Sequence, residues 1–369
     1  MHSALIQYLQ QHGSLSFFDF MQQALYHPIE GYYCHGKPKF GKAGDFMTAP
    51  EYTPLFGKAL AHACLPLLEQ LEQPILLEVG AGSGKLCVDL LRALRDWNHL
   101  PEQYWILELS PSLRQTQQAY VAEQLPELYS RVTWLDRWPT QKIQGILIAN
   151  EVLDAMPVQR FLHTEQGFFE NWVQYDEQKG FTECFKPLSD PALLPTLLEH
   201  FPLKQYPYLS EIHPLHTPWI QSAAECFSKG AMLLLDYGFP RAEYYHPDRN
   251  QGTLMCHYQH RAHPNPYVHV GSQDITSHVD FTLIAEAAQK AGWAVTGYTH
   301  QAAFLINNRI LEYISVPETP NKNTLESQHA LQLLLHPAEM GELFKIIALS
   351  SDQQLVPGGF ERYNKQAQL

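Results

Sequence analysis

The sequence lacks several features that would assign it to other classes of protein. No apolar run in its 369 residues approaches the roughly 20 residues that a membrane-spanning helix needs. Its six cysteines form no Cys-x-x-Cys pair, which argues against a zinc site or a disulfide framework. The first residues carry neither the basic start of a signal peptide nor the arginines of a transit peptide. We therefore expect a cytoplasmic protein that needs no structural metal.

Clustered basic residues are also missing. The net charge is −13, from 25 Lys and Arg against 38 Asp and Glu, and the basic residues form no stripe. Phosphate binding needs such a cluster, so we expect no nucleic-acid partner, whereas an acidic protein suits a basic one. Histidines recur at positions 257, 260 and 263, but Pro264 and Pro266 oppose a regular helix there. No cysteine or carboxylate pair completes a metal site beside them.

The most informative feature that is present is a short apolar run ending in three alternate glycines. Ile75–Val79 predicts a buried strand, and the pattern from Leu86 to Leu94 predicts an amphipathic helix. Gly80, Gly82 and Gly84 connect the two. Glycine lets the backbone approach a ligand closely, because no Cβ is in the way, and a helix N-terminus offers free N–H groups. The sequence therefore predicts a nucleotide-type cofactor site.

The glycine spacing distinguishes between cofactors. A dinucleotide motif needs glycine where this chain has Lys85, and a P-loop needs glycine and Ser/Thr where it has Val79 and Leu86. What remains is acid-x-Gly-x-Gly-x-Gly, which resembles the first motif of S-adenosylmethionine-dependent methyltransferases. The methionine end of that cofactor is cationic, so a carboxylate is useful beside it. The predicted cofactor contacts in this motif are Glu78, Gly80, Ala81, Gly82 and Gly84.

Acidic residues follow the next two strands as well. Gln103–Leu109 predicts a second strand, and we expect Glu108 to bond ribose hydroxyls, with Leu109 beside it. A third strand, Arg131–Leu135, leads to Asp136, where an adenine contact is expected. Trp134 and Asp136 are equally compatible with ordinary packing.

Strands and helices alternate along the chain, which predicts an α/β fold with a doubly wound, mostly parallel sheet. In such a sheet the strand-end residues Glu78, Glu108, Asn150 and Asp236 converge on one crevice. We also expect strands at Ala294–Thr299 and Ala303–Ile306, and a helix at Met340–Leu349. The predicted organisation is an N-terminal helical and lid segment (1–74), a core (75–159 and 206–310), two insertions (160–205 and 240–277) and a C-terminal helical segment (311–369).

The Gly44–Glu51 segment is predicted to be a lid over the cofactor. Asp45 and Thr48 are polar groups in this turn-rich stretch, and we expect both to contact the cofactor. A purely structural turn, with Asp45 bonding its own backbone, is the alternative.

Longer motifs make the resemblance specific. They are Phe20–Tyr33, Gly44–Gly57, Asn150–Val158, Asp274–Phe281 and Met340–Lys345. Together they are similar to the MidA family of methyltransferases, over nearly the whole chain. The family includes a mitochondrial arginine methyltransferase that assists assembly of respiratory complex I. The resemblance implies a seven-stranded methyltransferase fold, S-adenosyl-L-methionine as cofactor and, by analogy, a protein substrate such as a respiratory-complex subunit.

The residues after the fourth strand are the candidate catalytic groups. A guanidinium group has a pKa above about 12, and two carboxylates can hold it bidentately and aim one nitrogen at the methyl group. We expect Glu151 and Asp154 to form this clamp, with Asn150 positioning the substrate or the cofactor. Asp154 could instead cap a helix.

Two other functions remain open. The chain could be an assembly protein that keeps a cofactor pocket, or a methyltransferase of small-molecule nitrogen or oxygen atoms. The long insertions favour a large substrate. The sequence also leaves open whether the chain forms a homodimer.

Overall fold

The computed structural model describes residues 2–34, 47–201, 205–314 and 322–369, with only the backbone for 322–324. The helices are α1 (Ser3–His12), α2 (Phe17–Tyr26), α3 (Ala49–Tyr52), α4 (Pro54–Leu68), α5 (Lys85–Asp96), α6 (Pro111–Gln124), α7 (Leu194–His200), α8 (His216–Glu225), α9 (Arg241–Tyr244), α10 (Phe281–Lys290), α11 (Gln301–Asn307) and α12 (Lys322–Leu335). The strands are β1 (Leu15–Ser16), β2 (Ile75–Val79), β3 (Gln103–Leu107), β4 (Val132–Leu135), β5 (Ile143–Asn150), β6 (Gln159–Thr164), β7 (Gly167–Asp176), β8 (Gly180–Pro187), β9 (Tyr208–Ile212), β10 (Phe227–Phe239), β11 (Met255–Tyr258), β12 (Arg261–His263), β13 (Asp274–Thr276), β14 (Val279–Asp280), β15 (Ala294–His300) and β16 (Phe344–Ser350).

The chain divides into two compact units. The first contains Met1–Phe46, Leu153–His216 and Phe239–Thr282, and the second contains Met47–Val152, Thr217–Gly238 and Leu283–Leu369. The boundary at Val152 and Leu153 falls just after the fourth strand of the predicted core. Each unit is built from three separate stretches of the chain.

The second unit carries the large sheet, in the order β15–β16–β10–β5–β2–β3–β4. The pairings from β10 through β4 are parallel, and β16 is antiparallel to both of its neighbours. The predicted mostly parallel α/β sheet is therefore confirmed, and seven of its strands lie in this order. Its strands read as apolar runs because both faces are covered. A large cluster of buried side chains, including Leu76, Ile106 and Ile148, forms the core against α4 and α5.

The strand register brings the carboxyl ends of the parallel strands together. Val79 lies opposite both Leu107 and Ala149, and Leu235 lies opposite Asn150. The residues that follow β2, β3 and β5 consequently emerge at one edge of this sheet, level with Asp236, which lies within β10 rather than at its end.

The first unit is mainly antiparallel. One sheet has the order β1–β7–β6–β9 with β8 paired to β7, and β11 joins β12 and β13 in a second. The strands β6, β7 and β8 lie almost entirely within the stretch 160–205 that was predicted as an insertion. Two clusters of buried side chains, around Phe20 and Phe161, form the cores of this unit.

Two secondary-structure predictions were wrong. The short apolar stretch Ala303–Ile306 lies in the helix α11, because the side chain of His300 caps the N–H of Ala303 and starts a helix. Met340–Leu349 was predicted as a helix, but Phe344–Ser350 is a strand of the large sheet with every residue buried. A continuous apolar run in a central strand has no alternation to distinguish it from a buried helix.

None of the helices in the described ranges has the length and apolar character that crossing a bilayer requires.

Candidate cofactor and active site

The glycine motif forms a tight connection between β2 and α5. Gly80, Gly82 and Gly84 all have positive φ, at 67°, 54° and 85°. The Gly80 N–H donates to the Leu107 carbonyl and the Gly84 N–H to the Ala81 carbonyl, at 3.0 and 2.8 Å. A Cβ on Gly80 would lie 3.1 Å from Val152, and one on Gly84 would lie 3.3 Å from the Cα of Gln117. Glycine is therefore favoured at Gly80 and Gly84 by both conformation and space, and at Gly82 by conformation.

Lys85 occupies the position that would be glycine in a dinucleotide motif. Its ammonium group pairs with the buried carboxylate of Asp89 at 2.6 Å, one turn further along α5. The lysine is thus engaged within its own helix.

Glu78 is buried beneath this loop, with 3% of its surface exposed. It accepts a hydrogen bond from the Tyr104 hydroxyl at 2.7 Å. Burial raises the pKa of Glu78 from 4.5 to about 7, against the opposing effect of the Tyr104 bond, and the charge of Glu108 adds to the rise. None of these contacts provides a cationic partner for the Glu78 carboxylate.

Glu108 is held by two donors. The Ser110 N–H and the Gln117 side-chain amide each donate to one of its oxygens, at 2.9 Å in both cases. Burial nevertheless raises the pKa of Glu108 above its ordinary value, because it outweighs the hydrogen bonds.

Gln117 connects three parts of this site and was missed in the sequence. Besides Glu108, its amide nitrogen donates to the Gly82 carbonyl at 3.1 Å, and its amide oxygen accepts from the Trp134 indole at 3.2 Å. The available signal was a polar residue four positions before Val121, on the buried face of α6. Trp134 thus helps to orient the Gln117 side chain through this hydrogen bond.

Leu109 and Asp136 lie at the sheet edge beside Glu108. Leu109 is 72% exposed. The Glu108 N–H donates to the Leu135 carbonyl at 3.1 Å. Asp136 is the next residue after Leu135, so its backbone lies close to Glu108. The Asp136 side chain is exposed and pairs with Arg137 at 3.1 Å.

Only part of the predicted lid, Gly44–Glu51, lies within the described residues. Asp45 lies outside the described residues. Thr48 precedes α3 but its side chain makes no capping hydrogen bond to that helix. Three residues later, Glu51 accepts a hydrogen bond from the Ser83 hydroxyl of the glycine motif. This contact ties the end of the predicted lid to the cofactor loop.

Asn150 ends β5, and Glu151 follows it in a strained backbone conformation. Glu151 has a φ of 53°, a backbone angle that residues other than glycine rarely adopt. The Asn150 amide donates to the Glu151 carboxylate at 3.2 Å, while its buried amide oxygen has no hydrogen-bond partner among the described residues. Burial raises the pKa of Tyr52, and the charge of Glu151 adds to the rise, so this tyrosine lies near the carboxylate.

Asp154 belongs to the first unit, where it is 4% exposed. Its backbone carbonyl accepts the Ser277 N–H at 3.0 Å. Asp154 does not begin a helix, so the alternative role of a helix cap is not realised.

The residues of the second unit fit S-adenosylmethionine. In the glycine loop no Cβ atoms cover the backbone of Gly80, Gly82 and Gly84, so a ligand can approach it closely. Glu78 and Glu108 are buried acids, and a cationic or hydroxyl-bearing group would stabilise their charged forms. Glu78 would hold the methionine end and Glu108 the ribose. The orphaned oxygen of Asn150 offers a further acceptor.

Comparisons with known proteins agree with this geometry. The family model of S-adenosyl-L-methionine-dependent methyltransferases matches residues 59–299, more than half of the chain. Mouse and human protein arginine methyltransferase NDUFAF7, mitochondrial, are 27% and 26% identical, over 95% and 96% of this chain and 84% of each relative.

A solved structure extends the similarity to the whole chain. A Burkholderia thailandensis protein crystallised with S-adenosylhomocysteine has a TM-score of 0.94 and 37% identity, covering 100% of this chain and 96% of that one. A native structure from the same organism gives a TM-score of 0.90 and 36% identity, with the same coverage.

One expectation is wrong. The chain was expected to be cytoplasmic, but its curated mouse, human and fly relatives are named as mitochondrial proteins. The lack of a recognisable targeting signal in the first residues was therefore not sufficient evidence for a cytoplasmic location. The glycine loop, the two buried acids and the match over more than half of the sequence place this chain in the MidA family of S-adenosyl-L-methionine-dependent methyltransferases.

Proposed function

We propose that this methyltransferase modifies arginine side chains of a partner protein, with Glu151 holding the guanidinium group. The observation that carries the proposal is the backbone of Glu151, a non-glycine residue with φ of 53° at the end of β5. Such a conformation costs about 1–3 kcal/mol and persists only where surrounding structure imposes it. Here the Glu151 N–H donates to the Leu235 carbonyl at 2.9 Å, and Asn150 bonds the carboxylate.

The chemistry explains why a carboxylate is needed. The cofactor supplies a methyl group on a positively charged sulfur. A guanidinium nitrogen is a poor nucleophile while its lone pair is delocalised, and a carboxylate that binds two other N–H groups concentrates the positive charge away from the reacting nitrogen. Asn150 fixes the Glu151 carboxylate, which reduces the ordering needed when a substrate binds.

Asp154 is proposed as the second carboxylate of the clamp. It follows Glu151 by three residues, so the two Cα atoms are at most about 11 Å apart along the chain. The relatives that are named protein arginine methyltransferases support the substrate class at 26–27% identity.

The test uses labelled S-adenosylmethionine and matched peptides that carry one arginine or one lysine. We expect label in methylarginine, and a fall in kcat on the order of 100-fold for Glu151→Gln with cofactor affinity retained. Glu225→Gln, an exposed acid at the end of α8, is the matched control and should behave as the native enzyme.

Four results would contradict the proposal. Label in methyllysine would overturn the substrate class. Transfer to small amines or hydroxyl compounds alone would favour the small-molecule enzyme, and cofactor binding without any transfer would favour the assembly protein. Near-normal turnover of Glu151→Gln would remove the role of that residue.

A further inference from the structure

The first unit contains two stacked tyrosines that are bonded to two different segments of the chain. The rings of Tyr26 and Tyr33 are 5.4 Å apart and inclined by 26°. The Tyr33 hydroxyl donates to the Asp274 carboxylate at 2.9 Å, and the Tyr26 hydroxyl donates to the Ala155 carbonyl at 2.8 Å. Both tyrosines are partly exposed, whereas Asp274 is 2% exposed.

The same two segments are joined directly to each other. The Ser277 N–H donates to the backbone carbonyl of Asp154 at 3.0 Å, and the Asp274 carboxylate also accepts the Ile275 N–H at 3.0 Å. The preceding carbonyl, that of Leu153, accepts from the His216 ring at 3.0 Å. The tyrosine stack and the two aspartate segments therefore form a closed ring of contacts that fixes their relative positions.

The charges in this ring are predominantly negative. Burial raises the pKa of Tyr33 well above its ordinary value, and the charge of Asp274, then those of Tyr26 and Asp154, adds to the rise. The Tyr33 hydroxyl thus bonds one carboxylate, that of Asp274, and the charge of a second carboxylate, that of Asp154, acts on the same phenol. A buried pair of acids beside aromatic faces is suited to a cation.

We propose that Asp154, Asp274 and the stacked rings of Tyr26 and Tyr33 recognise the guanidinium group of the substrate. A guanidinium is planar, carries five donors and stacks on aromatic faces, so it can bond carboxylates at its edge while a tyrosine covers its plane. A lysine ammonium is compact and strongly hydrated, and it gains less from a flat aromatic surface. This inference rests on the proposed function, because it names residues that select arginine as substrate.

The test measures binding rather than turnover. NMR titration of the enzyme saturated with S-adenosylhomocysteine compares Nα-acetyl-arginine methylamide with Nα-acetyl-lysine methylamide. We expect the arginine probe to bind more tightly and Asp274→Asn to weaken it about tenfold, the loss expected for one charge-assisted hydrogen bond. The lysine probe should change much less.

A second variant separates recognition from folding. Tyr33→Phe keeps the ring and removes only the hydroxyl that orients Asp274, so it should reduce the preference for arginine by less than Asp274→Asn does. Glu177→Gln, an exposed acid in the turn after β7, is the control for loss of one negative charge and should bind both probes as the native chain does. S-adenosylhomocysteine titration checks that each variant is folded.

The outcomes distinguish this inference from the proposed function. Equal affinity for the two probes, or unchanged arginine binding in folded Asp274→Asn, would overturn the inference, even if arginine peptides are methylated. Arginine-selective binding that depends on Asp274 would support it. The label analysis of the peptides decides the reaction independently.

Discussion

Replacing Glu78 with glutamine should stabilise the cofactor-free protein at high pH while weakening cofactor binding. Glu78 is 3% exposed, and burial raises its pKa from 4.5 to about 7. Glutamine has nearly the same shape and can still accept the Tyr104 hydrogen bond. The substitution therefore removes the cost of a buried charge without opening a cavity.

The sign and size follow from the difference in pKa between the folded and unfolded chain. Between pH 4.5 and about 7 the folded state keeps a proton that the unfolded state has lost, so the free energy of unfolding falls as pH rises through this range. The full penalty, present above pH 7, is about 3 kcal/mol. Glu78→Gln has no such penalty, so its advantage should approach about 3 kcal/mol at pH 8 and vanish near pH 4.5.

Urea denaturation at pH 5 and pH 8, followed by circular dichroism, measures this difference. Glu123→Gln, an exposed acid on α6, is the control and should show little difference at either pH. Calorimetric titration with S-adenosylmethionine should show weaker binding for Glu78→Gln, because we expect the charged carboxylate to bind the cationic end of the cofactor. A stability difference that is absent at pH 8, or equal at both pH values, would refute the reasoning.

Three further predictions concern neighbouring contacts. Tyr104→Phe removes the donor to Glu78 and should lower the free energy of unfolding by about 1–3 kcal/mol at pH 8 and less at pH 5, measured by the same denaturation; an equal loss at both would contradict a bond to the charged form. Gly84→Ala should lower the melting temperature and the cofactor affinity more than Gly180→Ala, since both have positive φ (85° and 76°) but only Gly84 has close neighbours for a Cβ; calorimetry compares them, and matching losses would argue against the packing reason. Glu108→Gln should weaken cofactor binding about tenfold, and Asp136→Asn less, because Asp136 is exposed and pairs with Arg137; the reverse order in a titration would assign the larger role to Asp136.

The sequence was sufficient for the parts of the site that depend on local chain geometry. An apolar run, alternate glycines and an amphipathic helix predict β2, its turn and α5, because each signal acts within a few residues. The positions of Glu108 and Asn150 at the ends of β3 and β5 were predicted in the same way. Gln117 was not, since its role depends on the packing of α6 against the glycine loop, which no local pattern encodes.

Tertiary packing also decided the wrong and missing predictions elsewhere. Phe344–Ser350 is a strand because it fills the gap between β10 and β15, and its apolar run alone is compatible with a helix. Tyr26, Tyr33 and Asp274 lie in motifs that the sequence singled out, yet their association joins positions about 240 residues apart, such as Tyr33 and Asp274. Motif composition alone does not say which residues meet.

The ionisation of Glu78 shows how far strand register could extend such predictions. In parallel strands, Leu76 lies opposite Tyr104, and Glu78 is two residues beyond Leu76 on the same face. Diagonal neighbours of this kind are within reach of a long aromatic side chain, so the register alone places the Tyr104 hydroxyl near the Glu78 carboxylate. The raised pKa needs one more condition, that the face is dry, and the helices packed on the sheet provide it. A strand-end acid with a tyrosine on the same face of the next strand is thus expected to hold its proton until a cationic ligand arrives.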